Sequence, residues 1–356
     1  MSKFWSPGLD GLTPYTPGEQ PRQSSLIKLN TNESPFGPSP AVTDVLRTWP
    51  VEQLRRYPDP DSTALCNALA REHGVRVDNV FVGNGSDEVL AHAFCALLRH
   101  DRPILMPDVT YAFYRTYCAL YGIAYKAIPL DSEYRINVRA YEVPCGGVVL
   151  ANPNAPTGIA LARADIERLL VSHPDQVVVV DEAYVDFGGE SAIELTDRYP
   201  NLLVVRTFSK SRGLAGIRVG YALGHAALIG GLNRVKNSFN SYPVSSLSAA
   251  AAIASLGDTD HFANTVAEII RLRQLVAGEL GRLGTLVLPS SANFLFATHP
   301  ACPASRLLAG LRQNGVLVRH FVSPRIENFL RITIGSESDC SALVMALRKV
   351  LSDRSG

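Results

Sequence analysis

Two apolar runs that each end in a reactive side chain constrain this chain more than any other feature. VVVV leads directly into Asp181, Glu182, Ala183 and Tyr184, and LLVV (Leu202 to Val205) leads through Arg206, Thr207, Phe208 and Ser209 to Lys210. Short runs of β-branched residues read as strands covered on both faces, the pattern of a parallel sheet packed between helices. In open α/β sheets, ligands bind just beyond the carboxyl ends of such strands. A carboxylate, a phenol and an amine are therefore expected at one sheet edge, with the guanidinium of Arg218 following in SRGLAGIRVGY. That set suits a ligand with a basic ring nitrogen, a phenolic oxygen, an aldehyde and a phosphate, which pyridoxal 5'-phosphate combines.

The rest of the chain alternates in the same way. Strand-like NVFV, PILM, AYKAI and GGVVLA are interleaved with helical patterns such as SDEVLAHAFCALLRH and ADIERLLVSH. βα alternation predicts an α/β fold, a mostly parallel sheet flanked by helices on both faces. SSLSAAAAIASLGD and a long helical stretch, TDHFANTVAEIIRLRQLVAGELGRL, follow. TLVLP, NFLFA, GVLVRH and FLRITIG then supply short strands between helices, predicting a smaller α+β domain. Residues 1–40 are rich in Pro, Gly, Ser and Asn and read as an extended arm, either wrapped around a partner or frayed.

Composition narrows the classes of function. At 356 residues the chain is long enough for two domains. A net charge of +1 indicates no general attraction to nucleic acid or acidic membranes. Six scattered cysteines without a C-x-x-C pair suit reduced core thiols, and eight histidines without ligand spacing predict no metal site. No stretch is apolar enough to span a bilayer and the first residues lack a signal region, so a cytoplasmic protein is expected.

Each candidate residue has a plain structural reading beside the chemical one. A lysine between serines is ordinarily solvated, but Lys210 follows a buried strand, and a lysine amine forms a Schiff base with an aldehyde. Asp181 is either a strand-end cap or the carboxylate that keeps a pyridine nitrogen protonated. Tyr184 is either a core aromatic or a donor to a ring oxygen. In GNGSDE, a turn opens a helix whose first N–H groups suit a phosphate, with Gly85, Ser86 and Asp87 as its cradle and Ser209 and Arg218 as further contacts. Tyr111 could stack on a planar ring, and an Asn amide of NPNAPTG could reach the ring oxygen. Arg331 in FLRITIG is a charge within an apolar strand whose alternate neighbours, Phe329 and Thr333, leave its facing open. It could grip a carboxylate, with Arg319 in GVLVRH as a second anion contact.

Taken in order, LTPYTPGEQP, KLNTNESPFGPSP, RRYPDP, GNGSDE, NPNAPTG, VVVVDEAYVDF, TFSKSRGLAGIRVGY and FLRITIG resemble the fold-type I pyridoxal-phosphate aminotransferases. The N-terminal motifs and FLRITIG resemble their histidinol-phosphate branch. The resemblance implies a large cofactor-binding domain over 51–255, a smaller domain from 28–50 and 256–356, and an arm over 1–27. It implies Lys210 as the Schiff-base lysine and proton carrier, Asp181 on the ring nitrogen and Tyr184 on the ring oxygen. Gly85, Ser86, Asp87, Ser209 and Arg218 would hold the cofactor phosphate under a stacked Tyr111.

Tyr57 would reach that phosphate from the second subunit of a homodimer with shared active sites. Tyr15, from the partner's arm, would bind substrate together with Asn32, Arg319 and Arg331. The implied reaction is reversible transamination of L-histidinol phosphate with 2-oxoglutarate. The rivals are an aromatic amino-acid aminotransferase, a phosphothreonine decarboxylase and a pyridoxal-binding regulator. One departure stands out: Ala155 occupies the place where the family carries its ring-contacting Asn, which leaves Asn154 as the expected substitute.

Overall fold

The computed structural model describes residues 3–21 and 26–352. Its twelve strands form two sheets. β1 is Ile27–Leu29, β2 Val80–Gly83, β3 Ile104–Pro107, β4 Tyr125–Ile128, β5 Val148–Ala151 and β6 Val178–Asp181. β7 is Leu202–Thr207, β8 Gly220–Gly224, β9 Leu286–Val287, β10 Phe294–Thr298, β11 Val316–His320 and β12 Leu330–Thr333.

Seven strands run in the order β2-β8-β7-β6-β5-β3-β4, and β8 alone is antiparallel to its neighbours. The valines that read as a continuous apolar run divide by the period of two. Val179, Leu203 and Val205 face a core with the helices Gly85–Leu97, Phe113–Tyr121 and Ala226–Phe239. Val178, Val180, Leu202 and Val204 face the opposite core, which the helix Arg163–Ser172 closes. A strand buried on both faces needs no polar alternation, and for that reason residues 178–180 of β6 and 202–205 of β7 are all apolar.

The second sheet has the order β1-β11-β12-β10-β9, parallel only at β1 with β11. One face, carrying Val316, Val318, Leu330 and Ile332, packs against the helices Thr259–Arg282, Ala304–Gln313 and Glu337–Ser352. In the first of these, Ile269, Leu272, Val276 and Leu280 recur at helical spacing as the buried stripe. The expected boundary at residue 50 needs correction. β1 joins the five-stranded sheet, but the helix Pro40–Thr48 buries Val42 among Val80, Val82 and Leu223 of the larger sheet.

Candidate active site

A cavity of about 480 Å³ opens between the two sheets. Its wall includes Tyr15, Asn32, Ser86, Asp87, Tyr111, Asp181, Tyr184, Ser209, Lys210, Arg218, Arg319 and Arg331. Most of the residues singled out from sequence thus meet in one place, although they span more than three hundred positions of the chain.

The ends of β6 and β7 supply its floor. Asp181 is buried, and burial pushes its carboxyl up to about 6, moderated by hydrogen bonds from the Tyr114 hydroxyl (2.8 Å) and the Ala183 N–H (3.2 Å). Tyr114 was not singled out from sequence. It is fully buried, and its place in the tyrosine-rich turn Tyr111, Tyr114 and Tyr117 is the one signal that pointed to it. Lys210 Nζ donates to the Thr31 carbonyl at 3.3 Å and lies 5.7 Å from the centre of the Tyr184 ring. Among the described residues no carboxylate pairs with it, so the amine stands against polar groups that can release it to a ligand.

The start of the helix Gly85–Leu97 forms the anion end. Its N-cap Asn84 makes no side-chain capping bond, and its side chain is turned to the Pro243 carbonyl, to which Nδ2 donates. The first N–H groups of the helix are therefore left for a ligand. Gly85 has φ 81°, and a Cβ there would lie 2.4 Å from Arg218 Nη2. The missing side chain is what lets the guanidinium close over the helix start. Gly220 serves the same approach from β8, since a Cβ there would stand 2.3 Å from the Ser86 nitrogen. Arg218 lies 3.8 Å from the Asp87 carboxylate, which also accepts from the Tyr111 hydroxyl at 3.0 Å. Gly85 itself shapes this cradle without being part of the cavity wall.

The five-stranded sheet closes the other side. Arg319 and Arg331 are directly opposed on β11 and β12, an arrangement in which like charges repel. Arg331 donates from Nη2 to the Asn30 carbonyl at 2.9 Å, while its buried Nε has no partner. Burial pulls its pKa down, and Arg319 beside it pulls the same way. Arg319 donates to the carbonyls of Thr16 (3.0 Å) and Pro17 (3.2 Å), which seats the arm. Two guanidiniums without a carboxylate partner among the described residues define a place for an anion.

Three of the expected residues stand in other surroundings within this chain. Asn154 is buried behind the wall: its Nδ2 donates to the Val109 carbonyl and to Thr157 Oγ1, and its Oδ1 accepts from Thr110. Its amide is fully used in holding the loop, and Ala155 presents a methyl to the cavity. Tyr15 was expected from a partner's arm, but it lines this chain's own cavity, 4.9 Å from Phe113 and 6.2 Å from Tyr111 between ring centres. The hydrogen bonds of Arg319 and the double contact of Arg312 with Glu19 hold the arm there. Asn32 lines the cavity, with its Nδ2 donating to the Tyr184 hydroxyl and its Oδ1 accepting from Thr333, so its amide is first of all a partner of Tyr184. Tyr57 lies elsewhere, 83% exposed and stacked on Tyr242 with ring centres 4.8 Å apart.

The donor set fits pyridoxal phosphate: an amine, a buried carboxylate and a phenol stand on one side, and an uncapped helix start with Arg218 on the other. Among the described residues no group of three or more His, Cys, Asp or Glu could hold a metal ion.

Residues 24–347 match the family model for aminotransferase class I and II, and the chain belongs to that family. It is 56% identical over 352 residues to the histidinol-phosphate aminotransferase of Gluconacetobacter diazotrophicus, covering 99% of each chain. The identity to histidinol-phosphate aminotransferase 2 of Rhizobium meliloti is also 56%, over 99% of this chain and 100% of that one. Among solved structures, histidinol-phosphate aminotransferase from Sinorhizobium meliloti in complex with pyridoxal-5'-phosphate superposes with a TM-score of 0.88 at 26% identity, over 100% of this chain and 99% of that one. The fold is that of the fold-type I aminotransferases.

Proposed function

We propose that the chain is a pyridoxal-phosphate-dependent aminotransferase that moves the amino group of L-histidinol phosphate to 2-oxoglutarate, giving imidazole acetol phosphate and glutamate, a step of histidine biosynthesis. The observation that carries this reading is one cavity joining a releasable lysine and a buried carboxylate to two opposed arginines that have no ion-pair partner among the described residues. The near-full-length identity to histidinol-phosphate aminotransferases supports the choice of substrate.

Bound pyridoxal phosphate supplies an aldehyde that takes up the amino group and a ring that withdraws electrons. The helix start at Gly85, Ser86 and Asp87 binds the cofactor phosphate with Ser209 and Arg218, under the ring of Tyr111. Asp181 holds a proton on the ring nitrogen, and Tyr184 donates to the ring oxygen. Lys210 would hold the aldehyde between turnovers, and its amine, when free, would carry the proton that leaves the reacting carbon. Arg331 grips the carboxylate of glutamate or 2-oxoglutarate, and Arg319 and Tyr15 meet the phosphate of histidinol phosphate.

The proposal includes a cytoplasmic homodimer. No helix among the described residues is long and apolar enough to cross a membrane. Val51, Leu54, Tyr57, Phe239 and Tyr242 are exposed on the chain alone, an apolar surface that a second copy would cover. Tyr57 would thereby enter the partner's phosphate site.

A half-reaction screen tests the activity. The protein loaded with cofactor is mixed with histidinol phosphate, phosphothreonine or phenylalanine, and loss of the visible band is followed. Histidinol phosphate is expected to react fastest and to leave the pyridoxamine form. Faster reaction with phenylalanine, or carbon dioxide release from phosphothreonine, would replace this reading by one of its rivals.

A further inference from the structure

The surroundings of the Tyr184 hydroxyl leave its single proton one direction to take. Asn32 Nδ2 donates to that oxygen at 3.0 Å. Which end of the amide faces Tyr184 is decided from behind. The Asn32 backbone N–H donates to Thr333 Oγ1 at 2.9 Å, and the Thr333 hydroxyl is 3.0 Å from Asn32 Oδ1. A hydroxyl has one proton to give. A flipped amide would make Thr333 Oγ1 accept twice and leave its own proton no acceptor among the described residues, so Oδ1 takes that proton and Nδ2 is the end turned toward Tyr184.

The framework behind this relay is rigid. Asn32 is 1% exposed with φ 57°, a left-handed conformation that asparagine tolerates better than most residues. Its carbonyl accepts from Asn293 Nδ2 at 3.0 Å, and Thr333 lies at the end of β12. Tyr184 lines the cavity and its hydroxyl accepts from Asn32 without donating to any described residue, so its own proton is free for an acceptor inside. The opposite loop adds no amide there, since Ala155 presents a methyl and Asn154 is bonded elsewhere.

We infer that Asn32 is a positioning residue: with Thr333 it makes Tyr184 a one-way donor into the cofactor cavity and links the five-stranded sheet to the end of β6. This rests on the proposed function, in which the acceptor is the ring oxygen of pyridoxal phosphate. It gives Asn32 a part in tuning the cofactor in place of direct contact with substrate.

The test titrates the visible absorbance of the lysine-bound cofactor against pH in the unmodified protein, Asn32→Ala, Asn32→Asp, Tyr184→Phe and the double variant Asn32→Ala/Tyr184→Phe. A donor to the ring oxygen favours the deprotonated state of the chromophore, so losing its alignment raises the midpoint. Asn32→Ala is expected to raise it by about half to one pH unit, the size of one neutral hydrogen bond. Asn32→Asp, nearly the same in shape, is expected to raise it further, because its carboxylate accepts the phenol proton and turns the donor away. With Tyr184→Phe as background, Asn32→Ala is expected to add less than about 0.3 unit, since the two act through one bond.

Should Asn32→Ala not fold, Thr333→Val carries the same test, because it frees the amide to turn while keeping the side-chain shape. An unmoved midpoint in a variant whose parent shows a normal band would overturn the inference and leave the proposed function standing. Equal shifts with and without the Tyr184 hydroxyl would overturn it too. A parent that forms no lysine-linked band would overturn both.

Discussion

Arg206 and Arg331 are both arginines set in apolar strands, and their surroundings are opposite. Arg206, on β7, lies between Asp186, with which it forms a close ion pair, and Glu182 at 3.6 Å. Burial would pull its pKa down, but Asp186, Tyr221 and Glu182 hold it well above the usual range. Glu182 is itself pushed up to about 7 by burial and is steadied by Arg206, the Ala192 N–H and the Ser191 hydroxyl. Ser211, next to Lys210, donates to Asp186, so this closed network anchors the loop that carries the amine. Arg331 faces Arg319 across the sheet, leaves its Nε without a partner and belongs to none of the ion pairs among the described residues. Its guanidinium lies 5.5 Å from the ring centres of Phe294 and Phe321. A closed buried network serves the fold, whereas an open one holds desolvated charge in readiness for an anion. The second bears its desolvation before the ligand arrives, which is how a preorganised site gains affinity.

The largest expected effect tests the closed side. Arg206→Met leaves buried Glu182 and half-buried Asp186 without their counter-charge, and losing one partner of such a network costs about 3–5 kcal/mol. Urea unfolding of the cofactor-free protein should show a loss of that order, with a much smaller loss or a gain for Arg331→Met. Equal losses would erase the distinction between the two arginines.

Activity should reverse the ranking. Arg331→Met removes charge-assisted hydrogen bonds worth about 1.5–3 kcal/mol each. The expected fall in kcat/KM with glutamate is about a hundredfold, since each 1.4 kcal/mol is a factor of ten. The half-reaction with histidinol phosphate, which has no carboxylate, should fall by about tenfold or less. Equal falls for both substrates would place Arg331 on something they share.

Asp181 extends the comparison to carboxylates, because it too is buried with hydrogen bonds but no ion pair among the described residues. Its folded pKa, up to about 6, exceeds the ordinary value, so the native state binds the proton more tightly than the unfolded chain. Stability is then lost as pH rises from about 4 to about 6. Asp181→Asn should therefore stabilise the cofactor-free protein at pH 7 by about 3 kcal/mol and leave it unchanged below about pH 4, while slowing proton abstraction severely. Thermal melts across that range measure the gain. No gain at neutral pH would mean that the carboxylate is better solvated than its burial implies.

The parts legible in the sequence were those in which local pattern and function coincide. β6 and β7 announce themselves as runs of β-branched residues, and their ends deliver Asp181 and Lys210. The turn GNGSDE reads as a helix start whatever surrounds it. The facing of Arg331 was not legible, because its alternate neighbours are one aromatic and one threonine, and the register against Arg319 decides it. Tyr114 was hidden among other aromatics, its partner Asp181 lying 67 positions away. Asn154 shows the converse: a motif placed the amide near the site, but tertiary partners turned it from the cavity. The place of the arm was not legible, because its proline-rich sequence says that it extends, not what it covers; within this chain the hydrogen bonds from Arg319 to Thr16 and Pro17 set it.

Arg319 is the smallest and last test, because it stands between the two kinds of arginine. It has no carboxylate partner, yet it is engaged with the carbonyls of Thr16 and Pro17 and thereby seats Tyr15 against Phe113 and Tyr111. Arg319→Gln removes the charge opposite Arg331 and weakens the clamp, leaving the strand and its buried neighbours in place. Fold stability should therefore change by less than about 0.5 kcal/mol, as for an exposed substitution. The KM for histidinol phosphate should rise about fivefold, a loss of about 1 kcal/mol or one ordinary hydrogen bond. KM for glutamate should hardly move, and proteases should cut the arm between residues 12 and 21 faster. If the arm loosens while KM for histidinol phosphate stays put, Arg319 is a clamp alone, and the anion site belongs to Arg331. If KM rises with the arm still protected, Arg319 meets the substrate phosphate directly and both guanidiniums of the opposed pair are ligand-binding groups.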